Sequence, residues 1–298
     1  MNSRRDPQFN PASGRPREIE EATNRYFVHP VSRFLVDVLA RTPVTPNQVS
    51  VASVAFAAAG AFCYLRLEWP WSAIVGLVAL FGWHVLDGAD GDLARRTGRA
   101  SVSGELVDGV CDHLSQLLVY VAFALILQRH WGATAWGIAA TAGVSHFFQA
   151  NAYETGRKTY RRWVYGAAWM RQGFSGANLL QRALSSLYLM ISSLADPREA
   201  QVTSAMSASG EGTPTDAARR LYQDLYAPLV KRSFILSSNT RTLVGFLSML
   251  AGDPIWFFLF EIVGLNLALV WLWLSRSALA GRLQVALAEQ SQAALAPN

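Results

Sequence analysis

Charge is scarce in this sequence. Asp, Glu, Lys and Arg make up 16% of its 298 residues, against about 25% in a soluble globular chain. With 51% hydrophobic residues, ten Trp and a positive mean hydropathy, that shortage argues against a soluble enzyme and predicts a polytopic membrane protein. Cysteine is nearly absent: Cys63 and Cys111 both sit in apolar helical contexts. No Cys-x2-Cys or Cys/His cluster appears, so neither a zinc site nor a disulfide framework is expected. The N-terminal stretch MNSRRDPQFNPASGRPREIE has no apolar core. It does not read as a signal peptide, and insertion is expected to rely on internal helices. No internal repeat is visible, and no module interleaves aromatic and basic residues in the manner of a nucleic-acid binder. The formal charge of +5 and pI near 9.5 fit basic loops facing anionic lipid, with no nucleic-acid partner.

What the chain has is long apolar runs. Residues 1–16 are polar, rich in Pro, Gly and Arg, and are expected to be disordered. Residues 17–41 carry a helical stripe (Tyr26, Phe27, Val31, Phe34, Leu35, Val38, Leu39), broken near Pro30 and too charged to span. An amphipathic helix on the cytoplasmic membrane surface is expected there. Thr45 and Pro46 read as the N-cap and first turn of the next helix. Spans are then expected at about 48–67, 71–87, 105–128 and 132–152, within a segment 42–152. Residues 153–230 read as a cytoplasmic helical insertion. It contains NLLQRALSSLYLMISSLA, which could lie on the membrane surface, and a loop, MSASGEGTPTD. Two more spans are expected in 231–276, the fifth borrowing residues from the Phe234 side, and 277–298 is a cytoplasmic tail. Arg95, Arg96, Arg99 and the run RKTYRR place their loops inside by the charge rule. The fold class is therefore all-α and integral to the membrane: a six-transmembrane-helix bundle with an N-terminal amphipathic helix and a cytoplasmic insertion between helices four and five.

One stretch organises the rest: DGADGDLARRTGRASVSGELVDGVCD, from Asp87 to Asp112. Asp87 and Asp90 are three apart, and Asp108 and Asp112 four apart. Positions three or four apart share a helix face, so each pair can aim at one spot. Apolar helices flank the stretch on both sides. Acids crowded together repel one another unless cations lie between them, and hard oxygen ligands favour Mg²⁺, Mn²⁺ or Ca²⁺.

The full pattern is Asp-x2-Asp-Gly-x2-Ala-Arg-x8-Gly-x3-Asp-x3-Asp, with every fixed position filled. It resembles the signature of the CDP-alcohol phosphotransferase (CDP-alcohol phosphatidyltransferase) family. The TPN-type entry into the first span and the leading surface helix are similar to that family too. The resemblance implies a transferase of phospholipid or polar-lipid synthesis. Its donor would be CDP-activated, either CDP-diacylglycerol or a soluble CDP-alcohol. A lipid or polyol hydroxyl would accept the group, with release of CMP. It further implies Mg²⁺ or Mn²⁺, as two ions, held by Asp87, Asp90 and Asp108. Asp112 is the candidate general base and also a candidate ligand of the second ion. Arg95 is the candidate for the diphosphate. Gly91, Ala94 and Gly104 would let the nucleotide approach, with Asn47 and Ser50 near the cytoplasmic mouth. ARRTG and GELVDGVCD look like the choline/ethanolamine phosphotransferase branch. A homodimer in the cytoplasmic (inner) membrane, with its active site facing the cytoplasm, is implied as well.

Other charged residues near these spans invite both functional and plain readings. Arg241 is a candidate for an acceptor or lipid phosphate, or else a positive-inside anchor. Glu261, an acid within a span, is a functional candidate or pairs with a polar group such as Asn266. Asp92 pairs with Arg96 or is solvated. His84 and His113 flank the acids and read as bundle hydrogen-bonders before ligands. Glu105 reads as a partner for a loop arginine. The same acids could also serve a divalent-cation transporter or a non-catalytic membrane protein. A transporter would place them near mid-bilayer, whereas here they surround a basic loop, which suits a diphosphate.

Overall fold

The computed structural model of the protein describes residues 9–10, 15–166, 198–210 and 214–295. The segment NLLQRALSSLYLMISSLA and most of the disordered start expected at 1–16 lie outside those residues. The described residues are helical apart from a two-residue antiparallel pairing of Phe9–Asn10 with Arg15–Pro16. In chain order the α-helices are α1 His29–Leu39, α2 Pro46–Arg66, α3 Trp71–Arg96, α4 Val102–Trp131, α5 Thr134–Tyr165, α6 Glu199–Ala208, α7 Asp216–Arg232, α8 Ser238–Leu250, α9 Ile255–Leu259 and α10 Leu265–Leu295. A π-helical turn, Phe260–Gly264, joins the last two.

Local chemistry explains several boundaries. Thr45 caps α2: its side chain accepts from the Gln48 N–H while Gln48 reaches back to the Thr45 N–H, and Pro46 fills the first turn, where a missing donor costs nothing. Helix α3 runs past the expected end at residue 87 to Arg96 and stops at Gly98, whose φ of 66° suits a residue without Cβ. There the Arg99 N–H donates to Ala94 and the Gly98 N–H to Arg95, a Schellman stop. After a five-residue link α4 begins, with Ser101 accepting from the Gly104 N–H. The first half of the acidic stretch is thus helix, and only 97–101 is link.

The chain divides into two compact units. One comprises Glu20–His146 and Ser238–Gly264. Its core joins Tyr64, Leu80, Trp83, Phe123, Phe257 and Phe258. Helices α2 and α3 approach closely through glycine: a Cβ at Gly76 would sit 2.4 Å from the Tyr64 ring, and one at Gly82 the same distance from Phe56. Helix α1 packs on α3 through Ser32, which donates to the Val85 carbonyl at 2.7 Å. Val36 joins Val49, Ala89 and Leu93 in a small core there. The N-terminal segment is broken into a 3-10 turn at Arg17–Ile19, a π turn at Asn24–Val28 and α1, with Pro30 in the first turn of α1. Tyr26, Phe27, Val31, Phe34 and Val38 are exposed.

The other unit comprises Met1–Ile19, Phe147–Ser237 and Leu265–Asn298. Ile19, Tyr160, Trp163, Met206, Tyr222 and Leu283 form its core. Glu18 accepts from the Tyr160 hydroxyl and from Gln223 at 3.0 Å. Burial and that carboxylate raise the Tyr160 pKa far above its ordinary value, so the hydroxyl stays a donor. Gln149 donates to Asn266, and Arg276 reaches the Ala152 carbonyl across Gly156. Helix α6 continues through Met206 to Ala208, where the sequence reads as loop, and α10 carries helix far into the expected tail.

Among the described residues, four helical segments are long and apolar enough to cross a membrane: Pro46–Arg66, Trp71–Arg96, Ser103–Trp131 and Ile255–Gln290. The protein is an all-helical polytopic membrane protein. Helix α5 is long enough by its 32 residues but is diluted by Ser145, His146, Gln149 and Asn151. Helix α8, at 13 residues, extends about 20 Å, short of the roughly 30 Å of a hydrocarbon core.

Candidate active site

The acids meet because of where they lie relative to the link. At 1.5 Å per residue, Asp87 is about 14 Å from the end of α3 and Asp112 about 15 Å from the start of α4. Asp90 and Asp108 are each about 9 Å from those ends. The two helices run away from one turn, so the pairs come level. One ligand atom from each of Asp87, Asp108 and Asp112 lies within 4.8 Å of the others. All three are half-buried. Hard carboxylate oxygens from two helices at that separation suit a divalent cation such as Mg²⁺ or Mn²⁺.

Asp90 is not one of the three. It is buried, accepts from the Ser50 hydroxyl at one oxygen and from the Gly91 N–H at the other, and lies within electrostatic reach of Asp108 and Asp87. Ser50 is therefore a site residue by a stronger route than the mouth position expected of it: it ties α2 to α3 beside the acids. Arg95 forms an ion pair with Asp92 one turn back, and its guanidinium lies over Gly91, where a Cβ would meet it at 3.5 Å. This corrects the expected Asp92–Arg96 pairing, because Arg96 turns to Asp37 on α1 instead. Asn47, exposed at the start of α2, brings its Oδ1 to 3.6 Å from where a Gly104 Cβ would stand. Asn47, Gly104, Gly91 and Arg95 thus line the same end of the unit as the acids.

A family model described as CDP-alcohol phosphatidyltransferase matches residues 43–195, just over half of the chain. The chain belongs to the CDP-alcohol phosphatidyltransferase family. A 58-residue stretch is 38% identical to cholinephosphotransferase 1 of Gallus gallus. That match covers 20% of this chain and 17% of the relative, so the chain is matched over less than a fifth of that protein's length.

Within this CDP-alcohol phosphatidyltransferase family member, several expected residues have partners of their own. Arg241, a candidate for a phosphate, is 2% exposed, and its Nε donates to Glu261 at 2.8 Å. Glu261 is itself 0% exposed, and Asn266, suggested as its partner, accepts from Gln149 at 2.9 Å. A buried guanidinium already bonded to a carboxylate is poorly placed to meet a diffusing phosphate. His84 shares a 2.8 Å hydrogen bond with Thr242. His113 bonds the Gly109 carbonyl of its own helix at 2.6 Å. His84 thus bonds a neighbouring helix, whereas the exposed His113 bonds its own. Glu105 is exposed in the first turn of α4, where a helix dipole favours an acid. Sequence reasoning missed Thr242 and the Ser50–Asp90 bond. Residues 40 positions apart leave no local signature, although a serine one turn into a capped helix was a hint.

Proposed function

We propose that this protein transfers a phospho-alcohol or phosphatidyl group from a CDP-activated donor to an acceptor hydroxyl, releasing CMP. The convergence of Asp87, Asp108 and Asp112 from two helices, beside an arginine lying over a glycine, carries this reading. Family membership supplies the reaction class.

In the proposed step the acceptor oxygen forms a bond to the donor phosphorus that bears the transferred group. The bond from that phosphorus to the CMP oxygen breaks, and the electron pair leaves with CMP. Asp112 takes the acceptor's proton as general base. Two divalent ions, Mg²⁺ or Mn²⁺, held by Asp87, Asp90, Asp108 and Asp112, would neutralise the diphosphate charge. Ser50 and the Gly91 N–H orient Asp90. Arg95, with a side chain 43% exposed, exchanges Asp92 for a diphosphate oxygen. Gly91, Ala94 and Gly104 keep the helix surfaces low where the nucleotide approaches, and Asn47 stands beside Gly104 to receive it.

Six crossings are part of the same proposal, with the first half of α5 as the fourth and the chain around α8 as the fifth. The exposed Tyr26, Phe27, Val31, Phe34 and Val38 then rest on the cytoplasmic face of the inner membrane. The acids open to the cytoplasm, where CDP-linked donors occur. A homodimer is the proposed assembly.

The test is CMP release by the purified protein with Mg²⁺ or Mn²⁺. CDP-diacylglycerol, CDP-choline, CDP-ethanolamine, CDP-glycerol and CDP-inositol are each offered with polyol, polyol-phosphate and diacylglycerol acceptors. Metal-dependent release from CDP-diacylglycerol makes the protein a phosphatidyltransferase. Release from a soluble CDP-alcohol with a lipid acceptor makes it a head-group phosphotransferase. Absence of CDP binding, measured directly, overturns the reading.

A further inference from the structure

Helices α3 and α4 carry the acids, yet they make little contact with each other. Both pack chiefly against α2. Direct packing between them does not fix how far α3 is rotated about its axis. That rotation decides whether Asp87 points at Asp108 and Asp112. Packing on α2 and α1 holds it, together with three side-chain hydrogen bonds from neighbouring helices. Ser32 of α1 donates to the Val85 carbonyl and Ser50 of α2 to Asp90. The third, on the face of Asp87, is His84 to Thr242 from α8, on which α3 also packs.

His84 precedes Asp87 by three residues and so shares its face of α3. It is buried at 8% and stacked on Trp83, which itself is 1% exposed. The ring therefore has little room to move. Its partner Thr242 follows Arg241. Consecutive helix residues point about 100° apart, so α8 offers Thr242 to α3 and Arg241 to a different neighbour. Arg241 is locked to Glu261 in the π-helical turn. Such turns are frequent at functional sites. A buried ion pair among apolar helices adds little net stability compared with apolar packing, and its best-attested use is to fix register.

We propose that α8 is a positioning bar: anchored at Arg241–Glu261, it holds His84 through Thr242 and so sets the direction of Asp87. Thr242, His84, Arg241 and Glu261 are positioning residues and touch no substrate. The proposal rests on reading the acids as a divalent-metal site, and the experiment separates the two.

Mn²⁺ binding to the full-length purified protein is followed by electron paramagnetic resonance, which needs no donor and no turnover. Thr242→Val keeps the side-chain shape but removes the hydroxyl, and is expected to weaken Mn²⁺ binding about tenfold, the scale of lost outer-shell support. Thr242→Ser keeps the hydroxyl and is expected to bind as wild type. A merely structural threonine would not show that split. Glu261→Gln is expected to weaken binding in the same direction. The double variant Thr242→Val/Glu261→Gln is expected to lose no more than the worse single, since both act through one bar. Asp108→Asn is the control and loses binding. Thr242→Val binding like wild type while Asp108→Asn fails overturns the bar and leaves the metal site standing. Equal loss in Val and Ser variants, or fully additive losses in the double, also overturns it. No Mn²⁺ bound by wild type overturns both readings.

Discussion

The unit that holds the candidate active site contains two clusters of charge, and they are built on opposite terms. Asp87, Asp108 and Asp112 are like charges, half-buried and close together. Arg241 and Glu261 are unlike charges, fully buried and bonded. Like charges at close range favour a cation from outside the chain. A closed pair answers its own charge and gains nothing from a ligand. Sequence inspection marks both as charged residues within apolar helices. Geometry shows that the first gathers like charge at a half-buried spot and that the second closes a buried ion pair on itself.

The contrast can be broken deliberately. Asp108→Asn should have the largest effect on catalysis, lowering CMP release on the order of 10²–10³-fold through lost charge stabilisation. Its melting temperature in detergent should be unchanged or raised, because one repulsion is removed. Glu261→Leu should do the reverse in kind. Stranding Arg241 should destabilise the protein by about 3–5 kcal/mol, read as a lower melting temperature. The double variant Arg241→Met/Glu261→Leu should regain most of that loss while Mn²⁺ binding stays weakened. If the double remains as unstable as the single, the pair is more than a fastening. Ser50→Ala sharpens the boundary between the clusters. It should lower CMP release about tenfold by freeing Asp90, with the apparent metal requirement rising and the donor KM little changed. Asp37→Asn, which breaks the exposed pair with Arg96, should shift stability by under about 1 kcal/mol and leave turnover alone. A large loss there would mean that α1 positions the end of α3.

Much of this was legible locally. The two aspartate pairs are legible because helix period puts each on a shared face within one stretch; Gly91, Ala94, Arg95 and Gly104 enter only through the family resemblance. The cap at Thr45 and Pro46 was readable for the same reason: both partners lie within one turn. What failed to show was anything that depends on which helices touch. Ser50 meets Asp90, Arg96 meets Asp37, and Arg241 meets Glu261 across 20 residues. Sequence leaves Asp92 either solvated or beside Arg96, because Arg95 and Arg96 are both near, and only the place of Asp37 on α1 decides between them. The end of α3 was drawn early because hydropathy falls at Asp87, although the backbone stays helical to a stop set by Gly98.

That stop has a consequence for how the protein is made. With only residues 97–101 between them, α3 and α4 form one hairpin whose turn lies at the same end as all four aspartates. Consecutive helices joined by so short a link can leave the insertion machinery together. The turn end then stays behind in water while the apolar ends advance. In the proposed orientation none of the four aspartates has to travel through the lipid interior, and the carboxylates from both arms are level from the moment the hairpin seats. Lengthening the link would leave the finished site intact on paper, yet uncouple its two halves at birth.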